Sequence, residues 1–235
     1  MITRFVRQSA AAALCTLAVA ASASTPPGTE AWRFRVLLDD KPIGHHDFVV
    51  TRDGDATRVE IDARFDVRIL RIPVYSYRHD NTETRVDGCI SELASRTDDN
   101  GEELTVSARA TSESLVVDTG ESVERLDDAC VRSFAYWDRE LVTADRLLNA
   151  QTGELVPVSV EPVEAAPPDG RFDPARIDAR RILSADGEVD IVVAYARDTG
   201  RWLYLESTLE NGRNLRYLPE DPAAALAGGP AGGSS

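Results

Sequence analysis

Lysine is nearly missing from this chain: Lys41 stands alone beside 25 Arg, a bias of the kind a GC-rich genome produces rather than the mark of a binding function. Methionine occurs once, and Phe, Trp and Tyr together make up 6% of the 235 residues, which argues against a large lipid cavity. Positive charge is also short, with 26 basic against 40 acidic residues and a formal net charge of −14. Such a surface repels phosphate backbones and anionic head groups, so neither nucleic acid nor electrostatic membrane docking is expected. Phosphate-binding glycine motifs and a Gly-x-Ser-x-Gly elbow are missing as well, and with them the best-marked routes to nucleotide chemistry and serine hydrolysis. No apolar run after the first two dozen residues is long enough to span a bilayer.

That first segment is itself informative. Arg4 and Arg7, an apolar run from Ala10 to Ala21 and the small residues Ala21-Ser22-Ala23 read as a cleaved secretory signal over 1–23. The run is shorter than the ~20 residues of a spanning helix, and Leu14 before Cys15 is bulky where a lipid-attachment signal wants a small residue. Free export to the periplasm or beyond is therefore the expectation. Cleavage removes two Arg and no acid, taking the net charge to −16, and it removes Cys15, leaving Cys89 and Cys130 as an even pair. In an oxidising compartment these are expected to form one disulfide, the alternative being two buried thiols.

The remaining 212 residues suffice for one domain with a real core. We divide them into a spacer over 24–30, a β-rich domain over 31–218 and a disordered Ala/Gly/Pro/Ser tail over 219–235. Alternation of period two dominates the domain. Trp32, Phe34, Val36 and Leu38 share one face, with Arg33 and Arg35 on the other, and Val59 to Phe65 repeats the pattern. Tyr75, Tyr77 and His79 share a face on the segment that follows Pro73. Asp98-Asp99-Asn100-Gly101 and, later, Asp186-Gly187, Asp198-Thr199-Gly200 and Asn211-Gly212 carry hairpin turn chemistry. Only Trp137 to Asn149 departs from this pattern, and Leu141, Asp145 and Leu148 predict a short helix or helical turns there. The fold class is thus mainly β: a curved antiparallel sheet, half-barrel or barrel, of about ten strands with one short helical segment.

Candidate chemistry is sparse. His45 and His46 point to opposite faces of a strand, His45 with Asp47 and His46 with Phe48; folding could bring in His79 and Asp80, but nothing in the spacing demands it, and no metal site is expected. Asp98 to Gly101 lacks the ligand spacing of a calcium loop. No catalytic residues and no cofactor are assigned. The stretch Ile69, Ile72, Tyr75, Tyr77, together with Trp137, is the candidate lining of a pocket for an apolar, lipid-like ligand, ordinary core packing being the alternative.

Trp32-Arg33-Phe34-Arg35-Val36, Lys41-Pro42-Ile43-Gly44, Phe134-Ala135-Tyr136-Trp137 and Leu147 to Gly153 stand in an order that resembles an uncharacterised exported bacterial family, domain of unknown function 6134. Trp202 to Leu205 and Asn211-Gly212 to Leu218 extend the likeness over about 30 to 218. It implies a β-rich periplasmic domain and transfers no activity. In layout alone the chain is similar to half-barrel carriers of the LolA and LolB type. The expectation is a non-enzymatic β-domain that binds an apolar ligand or an envelope partner. A hydrolase using His and carboxylates, or a purely structural module with its concave face filled by the Trp137 to Asn149 segment, are the alternatives.

Overall fold

The computed structural model describes residues 28–69, 71–165, 170–209 and 211–227. The expected secretory signal and most of the expected spacer lie outside the described residues. Fourteen strands are present among those described: β1 (Thr29–Leu38), β2 (Lys41–Asp53), β3 (Ala56–Ile69), β4 (Ile72–Val86), β5 (Cys89–Asp99), β6 (Glu102–Ala110), β7 (Leu115–Asp118), β8 (Val123–Leu126), β9 (Arg146–Leu148), β10 (Leu155–Val163), β11 (Ile177–Ser184), β12 (Asp190–Ala196), β13 (Trp202–Thr208) and β14 (Asn214–Pro219). They form one antiparallel sheet in the order 8-7-6-5-4-3-2-1-14-13-12-11-10-9, so every neighbour is consecutive except β1 and β14, which join the two halves.

The sheet is mainly β and antiparallel as the alternation predicts, and richer in strands than the expected ten. Much of the excess comes from strands of three or four residues, β7, β8 and β9, too short to show a period. Trp32, Phe34 and Val36 are buried while Arg33 and Arg35 are exposed, as their alternation requires. At the β5–β6 hairpin Asn100 and Gly101 both take positive φ (54° and 96°), the pair of left-handed residues that a tight hairpin with the strands' own twist demands. At Gly44 the need is for space: a Cβ there would lie 1.8 Å from the Arg64 carbonyl oxygen on β3.

The helical expectation for Trp137 to Asn149 holds over the first part of that segment and is corrected over the rest. Only Arg139–Thr143 turns, as a short 3₁₀ helix capped by Asp138, and Arg146–Leu148 is the edge strand β9. Leu147 and Leu148 are both fully buried, one toward each of two different core clusters, which a strand satisfies and an amphipathic helix with one apolar stripe does not. Two boundary expectations also change. β1 begins at Thr29 inside the assigned spacer, and Pro222–Ala227 forms a short helix, α1, with Ala225 buried, where a disordered tail was expected from 219.

Because β8 and β9 lie at opposite edges, residues 127–145 must cross from one to the other. This crossover packs Ala135, Trp137 and Leu141 into the main core beside Trp32, Phe34, Phe48 and Trp202 on the concave face. Cys89 and Cys130 are bonded, with Cα atoms 4.8 Å apart, tying the crossover to the start of β5. Closing a loop of 41 residues contributes roughly 4 kcal/mol on the chain-entropy account. Next to it the Ile90 amide donates to the Val131 carbonyl at 2.9 Å, and the Leu148 amide donates to the Arg132 carbonyl at 2.8 Å. The crossover thereby spans the gap between the two sheet edges.

A candidate binding recess on the concave face

The inward row of β4 is polar where a core-facing row is usually apolar. Tyr77, His79, Asn81, Glu83 and Arg85 follow one another at every second position, and the last four are buried. Burying a charge without partners costs several kcal/mol, so the row must be answered from the other side, and the crossover answers it. Arg85 Nε donates to Glu83, Arg85 Nη1 to Asp138 Oδ2 at 2.9 Å, and Arg85 Nη2 to Ser133 Oγ at 2.9 Å. Ser133 Oγ donates in turn to Glu83 Oε2 at 2.6 Å, and the guanidinium lies 5.2 Å from the centroid of the Trp137 ring. On the far side of the crossover, Arg139 pairs with Asp178 of β11.

Above this clamp, crossover and sheet leave a recess of about 260 Å³. Aromatic and aliphatic walls come from Phe48, Ile61, Phe134, Tyr136, Ile191 and Tyr217. The polar side comes from His46, His79, Asn81, Ser133, Asn149 and Gln151, with Glu83 of the clamp beneath them. His46 stacks on Phe48 with centroids 4.3 Å apart and meets Tyr217 edge-on at 5.3 Å. Both of its ring nitrogens are shut off from solvent and have no hydrogen-bond partner among the described residues, and the same holds for Asn81 Oδ1. Burial pushes the His46 pKa down to about 3, helped by the neighbouring His79 and His45. His79, which shares a 2.8 Å hydrogen bond with Thr97 Oγ1, is lowered by burial to about 4. Both rings are therefore neutral at pH 7. Burial raises the phenols of Tyr77, Tyr136 and Tyr217, which keep their protons; Tyr77 uses its own to reach Gln151 Oε1 at 3.0 Å.

Of the residues expected from the sequence to line a ligand pocket, Tyr77 and Trp137 do line this recess. Ile72 is 65% exposed, because the β3–β4 hairpin runs on past the last β5 pairing at Tyr77↔Asp99. Tyr75 is half-buried beside Asp99, whose charge adds to burial in raising its phenol. The Ile69 side chain lies outside the described residues. His45 faces outward and sits 3.3 Å from Asp62, apart from the other two histidines. Among the described residues no three of His, Cys, Asp and Glu converge as a metal site would require. The alternation placed His46 with Phe48 correctly, but Asn81, Glu83 and Arg85 were missed. Their signal was available: β4 from Arg78 to Arg85 is polar on both faces, and a strand that deep in a sheet has to turn one of them inward.

The family described as Domain of unknown function (DUF6134) matches residues 34–220. No curated protein matches the chain. Among solved structures, a beta-barrel-like protein of domain of unknown function DUF1849 from Brucella abortus is similar in fold, with a TM-score of 0.59 and 12% identity over 81% of this chain and 95% of that one. At that identity the likeness concerns the fold alone.

Proposed function

The chain belongs to the DUF6134 family, and from that premise we propose a non-enzymatic, exported β-domain that holds a small organic molecule between its crossover and its sheet. One observation carries the reading: a recess in the concave face is lined by His46 and Asn81, and the two ring nitrogens of the first and Oδ1 of the second are buried atoms with no hydrogen-bond partner among the described residues. Unsatisfied buried polar atoms are costly, and a ligand or ordered water that supplied partners would recover that cost. At about 260 Å³ the recess falls just below the ~300 Å³ at which pockets for drug-sized ligands begin, which narrows a lipid-like ligand to a small molecule with one apolar and one hydrogen-bonding side. The disulfide and the basic-then-apolar leader support an oxidising compartment outside the cytosol.

A purely structural envelope module is favoured by a different observation, the burial of Ala135, Trp137 and Leu141 of the crossover in the main core. Native mass spectrometry of protein purified from its own periplasm separates the two. The binding reading expects a non-covalent adduct that disappears when Tyr136 is changed to Ala and the protein remains folded. A bare mass in every preparation, with no thermal shift on adding small aromatic or amine compounds, would leave the structural module standing.

A further inference from the structure

Resting on the binding reading above, we propose that the recess takes a small organic cation, an amine or quaternary ammonium compound. The recess adjoins a second hollow of about 620 Å³, since Asn149, Gln151 and Val189 line both. That outer hollow carries three carboxylates, Glu154, Asp186 and Glu188, all on exposed turns. Among the described residues neither hollow is lined by Lys or Arg, in a chain with 25 Arg. Asp186 accepts from Ser184, which together with the Glu188 backbone holds its carboxyl below the usual range, so it is ionised at neutral pH. A molecule approaching the recess therefore passes a rim of one sign, and opposite charge is concentrated there.

Inside, the walls suit the same ligand. Tyr77, Phe134, Tyr136, Trp137 and Tyr217 present ring systems around a recess small enough for one compact head group, and ring faces attract cations. The protein already uses this chemistry next to the recess, where the Arg85 guanidinium, paired with Glu83 and Asp138, sits against the Trp137 ring. Asn81 is 5% exposed and its Oδ1, an acceptor only, has no donor among the described residues; the N–H of a protonated amine, or the hydroxyl of a quaternary compound such as choline, is a donor. An anionic ligand would meet acids at the rim, and a neutral apolar one would leave that acceptor unanswered.

The test titrates choline and its neutral isostere 3,3-dimethylbutan-1-ol into the full mature protein, followed by calorimetry and by tryptophan fluorescence. Choline is expected to bind about tenfold or more tightly than the isostere. Its affinity is expected to fall with added salt and to drop several-fold in the E188Q/D186N double variant, whose substitutions lie on exposed turns. Equal or tighter binding of the isostere overturns the cation and keeps the binding reading. Binding of neither, in protein shown folded by circular dichroism, overturns both.

Discussion

In the C-terminal wing of the sheet, β11 to β14 bury residues on both faces. Tyr195, Trp202 and Leu205 face the main core, while Ala194, Leu203, Tyr204 and Leu218 are covered on the outside by Phe172 and by Ala225 of α1. In the N-terminal wing, β2 to β6 show water an outer face of charges, Arg58, Glu60, Arg96 and Arg109 among them. That wing's inner face includes the polar row of β4. One wing is thus held by apolar contact from two sides, and the other by a crossover strapped to it through a disulfide and a buried ion network. The difference teaches where each wing is vulnerable: the first to loss of cover, the second to loss of a charge partner.

The hardest blow to this contrast is R85A. It strands Glu83, 2% exposed, without its cation, and breaking a buried pair in this way costs about 3–5 kcal/mol. Urea unfolding measures that loss, and hydrogen exchange is expected to localise it to β4, β5 and the crossover while β12 and β13 amides stay protected. A uniform rise in exchange would mean that the wings are one cooperative unit.

A second blow uses acid. The folded-state pKa of His46 lies near 3 against about 6.5 unfolded. Between those values the unfolded chain binds the extra proton, so this group's stabilisation is complete above 6.5 and is lost as the pH falls toward 3. H46F removes the titration while keeping a flat ring on Phe48. It should therefore retain about 2 kcal/mol more of its neutral-pH stability at pH 5 than the parent does. Identical pH profiles for the two proteins would sink the assignment.

The mildest test is on the other wing. A225D sets a carboxylate against the outer cluster of β13 and β14, but α1 is a short terminal helix that can peel away, which limits the cost to about 1–2 kcal/mol. Exchange should rise in β13 and β14 only. If β4 loosened instead, the division into wings would be wrong.

Most of the sheet was legible because alternation is a local property. β1, β3, β11 and β13 could be read from Trp32, Val59, Ile182 and Trp202 with their neighbours, and the hairpins from their glycines. The site was half legible. Tyr77 and Trp137 were found because aromatics announce burial; Glu83 and Arg85 were not, because charged residues at alternate positions look like a wet face until a partner is seen. That partner, Ser133 and Asp138, lies about 50 residues away and reaches β4 only because the crossover has to travel between sheet edges. The strand β9 was read as helix for a related reason: Leu147 and Leu148 serve two clusters, and no local period records that.

The pairing of β1 with β14, Phe34↔Pro219 through Leu38↔Leu215, has a kinetic side. Every other ladder joins strands adjacent in sequence and can zip as soon as its hairpin forms, but this one must wait for the last strand to be made. Until then β1 is an open edge in the middle of the future sheet, carrying Trp32, Phe34 and Val36. Loop closure over nearly the whole chain is slow, and exposed apolar edges recruit other chains meanwhile. Folding of this protein should therefore be limited by docking of two preformed wings along one seam. A circular permutant that fuses the two ends, and opens the chain within 127–145 instead, would turn that slowest step into a local hairpin.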